Sequence, residues 1–415
     1  MTTTIIITFC TVLLVAYIFD LSAKLTRIPA VILLLLLGWT ARQLSYFFHL
    51  QLPDFTSILP VLGTVGLILI VLEGSLELKM NKSKFSLISK SFFGALIPML
   101  SIAFLLAYLL QFFVASSFKD NLANVIPLSV ISSSIAISSV KNLATEDKEF
   151  VIYESSFSDI LGVLFFNFIM LNKYVNARSF GTFGLQILSI TIISLISIIL
   201  LSLLLSKIDH NIKFVPIILL VILIYTVAHE YDLPALIFIL LFGIFLGNLD
   251  ELKRFRWFRK IKPQHLDNEM KKFKELTIEA AFMLRSLFFL LFGYMIETKE
   301  LMNSKTLEWS FGIVAIIFIL RIIQLWISRL PLIPLLFIAP RGLVTILLFL
   351  SIIPAKQIPL INKSLIIQVI GITSLIMMIG LILTKRNVET QQKELEQNND
   401  NISLPEQSLT KVSKS

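Results

Sequence analysis

The sequence has a single cysteine, Cys10, so no disulfide can close within the chain. Cys10 lies in an apolar block, where a thiol behaves as a small hydrophobe. Charge is scarce as well. Asp, Glu, Lys and Arg supply 15% of 415 residues, against about 25% in an ordinary soluble domain. Histidine is rarer still: His49, His210, His229 and His265 fall in separate loops and make no metal-ligand cluster. A basic leader is also missing. Residues 1–19 carry no positive n-region, and no small-residue cleavage pattern follows, so they read as a span rather than a removable signal. With 56% of residues hydrophobic and gathered in long runs, these absences exclude a soluble enzyme.

What is present is membrane-spanning helix. A bilayer core takes about 20 apolar residues in a helix, and the chain divides into about thirteen such blocks. They are 4–21, 28–47, 58–78, 87–113, 123–144, 150–172, 180–206, 214–228, 234–249, 276–296, 307–328, 332–354 and 361–384. The net charge of +9 would suggest nucleic acid in a soluble protein. Here the basic residues sit in the connectors, about eight in the even-numbered set and about twenty in the odd-numbered set. The odd set includes Lys24, Arg27, Lys79, Lys82, Lys84 and the stretch from Lys253 to Lys274. By the positive-inside rule the odd connectors are cytoplasmic, which puts the N-terminus outside and the C-terminus inside. The connector at 250–274 mixes Lys and Arg with Phe255, Trp257 and Phe258. It reads either as an interfacial helix on anionic lipid or as a solvated basic loop. The polar segment 385–415 has the composition of a disordered tail.

Ionisable groups within spans are costly and need a partner, a water-filled cavity or a role. Glu73, Glu154, Asp159, Arg285, Arg321 and Arg341 are the candidates; Asp20 and Arg42 lie near span ends and can snorkel. In the sixth span, Glu154 and Asp159 are separated by about 140° around the helix. The two carboxylates therefore face different surroundings, so one can be neutralised structurally while the other faces a cavity. Ser155 and Ser158 flank Asp159, and no basic residue inside the membrane shares its helix, which favours Asp159 as the ion carrier. The bland alternative is that both acids are packing ion pairs. The fifth span carries Ser132, Ser133 and Ser134. Such a run either packs helices closely or loosens the helix and frees oxygens that suit an alkali ion. In the twelfth span, Pro340-Arg341-Gly342 breaks the helix and leaves Arg341 where two half-helix ends meet. The two interrupted spans lie seven apart, so equivalent elements would face opposite ways, as in inverted repeats.

Four places resemble the monovalent cation:proton antiporters of the sodium/hydrogen exchanger, NhaP-like type, of which the chain looks like a divergent member. Leu72-Glu73-Gly74-Ser75-Leu76 is similar to a Phe-Glu-Gly-Gly-Leu stretch. Glu154-Ser155 with Ser158-Asp159 is similar to Glu-Ser-x-x-Asn-Asp. Phe288-Phe289 with Gly293 is similar to the Phe-rich tenth span, and Pro340-Arg341-Gly342 to Pro-Arg-Gly. The likeness covers residues 1–384. It implies an all-α polytopic fold of two inverted repeats with crossing broken helices. Helices 1–3 (4–78) and 8–10 (214–296) would form a scaffold and dimer interface. Helices 4–6 (87–172) and 11–13 (307–384) would form the transport core, with 180–206 as linker. It further implies that Asp159 binds cation and proton in turn, with Ser158 in the place of the motif asparagine and Ser155, Ser132 and Ser133 nearby. Glu154 would pair with Arg321, and Arg341 would steady the helix crossing between Pro340 and Gly342.

This chain departs from the family pattern at Ser132-Ser133-Ser134, where Thr-Asp-Pro is usual, and at Arg285, where a neutral residue is usual. Arg285 reads either as a counter-ion competing for Asp159 or as a partner of Glu279 on its own helix. The implied activity is exchange of Na+ or K+ for H+ by alternating access, one for one, in a bacterial inner membrane. The transported ion at Asp159 would be the metal, with no cofactor, no nucleic acid, and membrane lipid and a second copy as partners. The other readings are a sensor or scaffold that does not transport and, further off, a polytopic glycan-processing enzyme.

Overall fold

The structure, a computed structural model, describes residues 10–11, 13–19, 21–22, 30–48, 58–78, 84–140, 143–172, 176–207, 214–248 and 263–402. Side chains of 202–207, 263–270 and 385–402 fall outside the description. So do several residues used to orient the chain, Lys24, Arg27, Lys79 and Lys82, and the basic-aromatic stretch 251–262. Among the described residues every regular element is helical. Among these residues nine helical units are long and apolar enough to cross a membrane, and two shorter apolar helices accompany them. The other expected spans correspond to the helical residues between 10 and 22 and to a broken segment at 335–350.

We number the principal helices in chain order. The first group is α1 (Ala30–Phe47), α2 (Ile58–Glu77) and α3 (Phe85–Leu110). The interrupted fifth span gives α4 (Phe118–Ser129) and α5 (Ser133–Ser139), and the Asp159 helix is α6 (Thr145–Leu171). Then come α7 (Ala177–Lys207), α8 (Phe214–Glu230), α9 (Leu236–Gly247) and α10 (Pro263–Tyr294). The last are α11 (Thr298–Leu301), α12 (Ser304–Ile327), α13 (Leu343–Leu350) and α14 (Lys363–Ile402).

Three boundaries differ from the sequence reading, each for a local reason. α4 begins at Phe118 rather than near 123 because Ser117 caps it, its Oγ accepting the Asp120 N–H at 3.1 Å. α10 begins at Pro263, well before the apolar block at 276, and proline suits a first helical position because its missing N–H is not needed there. The end of the basic connector is therefore helix continuous with a span. α14 carries on to Ile402, so 385–402 is helical backbone where a disordered tail was expected. Gln, Glu and Lys, frequent there, are good helix formers that extend an existing helix without a new nucleus. Residues 403–415 lie outside the described residues.

Two packing groups emerge. α10 lies along α1 and α2, and α9 lies along α2. Close approach of α1 and α10 depends on Gly38 and Gly293: a methyl on either would run into the backbone of the facing helix. Small residues are what allow helices to meet closely in lipid. In the second group α3, α4, α5 and α6 pack together, and α12 joins α3 to α14. The groups meet where α2 contacts α5, α6 and α13. The site is built at that meeting.

Candidate functional site

Two interrupted helices cross beside α6. α4 stops at Ser129, residues 130–132 are not helical, and α5 restarts at Ser133. On the other side a short 3-10 turn, Leu335–Phe337, leads through non-helical 338–342 into α13. Such breaks expose backbone groups that must be paired when buried. Here the pairing is tertiary. The Ile131 N–H donates to Ser158 Oγ at 2.9 Å, and the Ser132 N–H donates to the Pro340 carbonyl at 2.9 Å. The Ser133 N–H donates to Asp159 Oδ2 at 3.2 Å. The freed carbonyls at the end of α4 are met by Arg341, whose Nε donates to Leu128 O at 2.8 Å and NH2 to Ser129 O at 3.4 Å. NH1 of Arg341 donates to Ala339 O at 2.7 Å. A buried guanidinium thus faces the negative end of a helix. Gly342 lets the segments touch, since a Cβ there would lie 2.6 Å from Ser132 Oγ.

Asp159 is 2% exposed. Its Oδ2 accepts from both the Ser133 N–H and the Ser133 hydroxyl. Its Oδ1 has no hydrogen-bond partner among the described residues. Of the serines expected around it, Ser133 bonds the carboxylate directly and Ser158 holds the break in place. Ser132 Oγ instead pairs with Ser134 Oγ at 2.9 Å. Ser155 turns back on its own helix, donating to the Val151 carbonyl at 2.7 Å, so its hydroxyl serves the helix rather than the carboxylate.

Glu154 has different surroundings. Arg321 grips it in bidentate fashion, NH1 on Oε1 and NH2 on Oε2 at 2.8 Å. Gln324 adds a donor to Oε1 at 2.7 Å and ties the cluster to the Gly94 carbonyl at 2.9 Å. Arg321 also reaches the broken segment through the Leu335 carbonyl at 3.3 Å. Sequence reasoning missed Gln324; its signal was its position three residues after Arg321, on the same face of α12.

A half-open cavity of about 450 Å³ lies between α2, α5 and α10 and includes Ser133, Ser134, Glu73, Glu77, Glu279 and Arg285 in its walls. Asp159 is one side chain behind that wall, bonded to Ser133. Arg285 meets a partner that neither sequence reading named. Its ion-pair partner is Glu73 on α2, at 3.9 Å, rather than Asp159 or Glu279. Spacing along one helix cannot reveal a partner on another.

The profile of the family described as sodium/hydrogen exchanger, transmembrane, matches residues 10–385. No match is found among curated protein sequences. The fold is similar to a structure of the sodium proton antiporter MjNhaP1 from Methanocaldococcus jannaschii at pH 8, with a TM-score of 0.64 and 18% identity. That likeness covers 92% of this chain and 96% of the other. An electron-microscopy map of the same antiporter gives a TM-score of 0.59 at 17% identity, covering 92% and 95%. The family consists of transporters, which sets aside the enzyme reading and supports cation:proton exchange. With its profile matched across nearly the whole length and its broken helices crossing at a buried carboxylate, the chain belongs to the sodium/hydrogen exchanger family.

Proposed function

We propose that the chain exchanges Na+ or K+ for H+ across a bacterial inner membrane, one ion for one proton, at Asp159. The observation that carries this reading is the unequal pairing of the Asp159 oxygens. Oδ2 is anchored by Ser133, which also lines the cavity, while Oδ1 has no partner among the described residues. A carboxylate in that position holds a proton or a cation but not both. Competition for one site is sufficient for exchange.

Positive-inside charge places the end of α2, with Glu77 followed by Lys79, Lys82 and Lys84, on the cytoplasmic side. The cavity lined by Glu73 and Glu77 then belongs to an inward-facing state. Alternating access follows if the group α3–α6 with α12–α14 rocks against the scaffold of α1, α2 and α8–α10 with the first span, the scaffold also supplying a homodimer face within the lipid. Glu154 and Arg321 act as a structural pair within the moving group, and Arg341, Pro340 and Gly342 hold the crossing.

The test is purified protein in liposomes, with internal pH followed after a pulse of Na+, K+ or Li+. Wild-type protein is expected to move protons on addition of at least one of these ions, without dependence on membrane potential. Absence of flux in wild-type protein would instead favour the sensor or scaffold. Sensitivity of the flux to membrane potential would overturn the one-for-one stoichiometry.

A further inference from the structure

Among the described residues three buried side-chain polar atoms have no hydrogen-bond partner: Ser156 Oγ, Asp159 Oδ1 and Ser374 Oγ. The first two belong to one face of α6, three residues and about 60° apart. The exchange reading uses Asp159 and leaves Ser156 unexplained. A serine buried in a membrane helix commonly turns its hydroxyl back to its own backbone. Ser155 does so to the Val151 carbonyl at 2.7 Å, Ser194 to Ile190 at 2.6 Å and Ser310 to Thr306 at 2.8 Å. Ser156, only 6% exposed, does not. Its hydroxyl is turned towards α2 instead. A methyl on Gly74 would lie 3.1 Å from Ser156 Oγ and 3.9 Å from its Cβ, so the oxygen is the nearer atom. Gly74 is itself part of the wall of the cavity that Ser133 lines. An idle hydroxyl thus stands behind a wall position that has no side chain. A buried polar group left unpaired is costly, and its presence calls for something that visits it.

We propose that Ser156 is a further ligand of the transported cation, an entry station between the cavity and Asp159 in the inward-facing state. This rests on the exchange reading above. The position along the membrane fits the role. On the orientation proposed there, α6 begins at the cytoplasmic side. Three residues at 1.5 Å each set Ser156 about 4.5 Å nearer that side than Asp159. A cation arriving from the cavity meets Ser156 first. The chemistry fits as well. An alkali cation gives up its water only where protein oxygens replace it. Ser156 offers a hard, neutral oxygen whose lone pairs no described residue engages. A proton needs no such help, since it binds a single carboxylate oxygen. Ser156 therefore acts on the cation side of the exchange, and the missing side chain at Gly74 is the gap through which its hydroxyl is reached.

The experiment measures the apparent KM for Na+, K+ and Li+ in liposomes and the unfolding temperature in detergent, for wild type and four variants. Ser156→Ala is expected to raise the KM of the exchanged ion about fivefold, the loss of one neutral ligand. Its unfolding temperature should stay at the wild-type value, because the hydroxyl bonds no described residue. Ser156→Cys keeps the shape but offers a soft sulfur to a hard ion, and should raise KM as alanine does. It also keeps the proposal testable if the alanine variant does not assemble. Gly74→Ala sets a Cβ 3.1 Å from the hydroxyl, closes the gap and should raise KM too. Combined with Ser156→Ala, it should bring no further rise, since both changes act on one oxygen. An unchanged or lowered KM in either Ser156 variant overturns the proposal. So does a raised KM that comes with a lower unfolding temperature in Ser156→Ala, which would make the hydroxyl structural. Additive effects of the Gly74 and Ser156 changes overturn it as well. If wild type itself shows no exchange, the functional reading fails and takes this inference with it. If wild type exchanges and KM ignores residue 156, only this inference fails.

Discussion

Two carboxylates on one helix, five residues apart, have been given opposite surroundings. Glu154 has both oxygens held by Arg321 and one also by Gln324. The pocket beside Arg321 and Gln324, which also borders Ser158 and Arg341 at the crossing, measures only about 10 Å³, no more than one water needs. Asp159 has one oxygen held by Ser133 and the other without a partner among the described residues, and Ser133 borders a cavity of about 450 Å³. A saturated acid in a dry packing has nothing to trade. An under-coordinated acid next to a cavity can bind something that comes and goes. On the proposed exchange reading the contrast separates structural from functional charge within a single helix, and mutations on the two sides should fail in different ways.

The largest effect should come from Asp159→Asn. The amide keeps the shape but cannot neutralise a cation or carry a proton, so ion-driven pH change in liposomes is expected to vanish. Thermal unfolding in detergent should barely move. Retained exchange in this variant would remove Asp159 from the mechanism. On the other side, Arg321→Leu leaves Glu154 buried and unpaired, at a cost of about 3–5 kcal/mol in stability. The measurement is the unfolding temperature in detergent. Glu154→Gln together with Arg321→Leu should recover part of the loss, because no uncompensated charge then remains. If Arg321→Leu melts like wild type yet fails to transport, the pair belongs to the ion pathway and the division drawn here is wrong.

The crossing of the broken helices offers a smaller effect between these extremes. Gly342→Ala would set a Cβ 2.6 Å from Ser132 Oγ and 2.8 Å from Ile135 Cδ1, both packed where α5 begins. Overpacking of this kind costs about 1–3 kcal/mol. Because Ser132 also donates to Pro340, displacement there should pass to Ser133 and so to Asp159. Both a lower unfolding temperature and a raised cation KM are expected. A change in stability with unaltered KM would show that the crossing positions nothing.

How much of this was legible beforehand depends on range. The breaks themselves were readable, because Pro340 cannot continue a helix and serines compete for backbone bonds. The difference between Glu154 and Asp159 was readable too, from their angular separation on α6. Which arginine meets Glu154 entered only through the family likeness. Gln324 had no apolar-periodicity signal of its own. Glu73 as a partner of Arg285 was out of reach, since spacing along α10 offers Glu279 while Glu73 comes from α2. The Ser132 N–H to Pro340 carbonyl bond was likewise out of reach, being a contact between two irregular segments far apart in the chain. Local chemistry shows in sequence; pairing between distant breaks is set by packing.

The finest test concerns which serine serves Asp159. The sequence sets Ser155 beside Asp159 on one helix and Ser133 on another span, and the structure gives them different partners. The Ser155 hydroxyl donates to Val151 within α6, and the Ser133 hydroxyl donates to Asp159. The cation-bound state keeps the carboxylate ionised, and an ionised carboxylate gains most from a donor. Ser133→Ala removes that donor at about 1 kcal/mol, which corresponds to an apparent KM for the cation raised about fivefold. Ser155→Ala removes a bond internal to a helix and should leave KM within about twofold of wild type. Measured side by side in liposomes, the two variants decide between a ligand set fixed by proximity in sequence and one fixed by the helix break. Equal shifts would mean that the hydroxyls act through packing alone. A shift confined to Ser133 would mean that the broken fifth span, rather than the Asp159 helix itself, tunes the ion site.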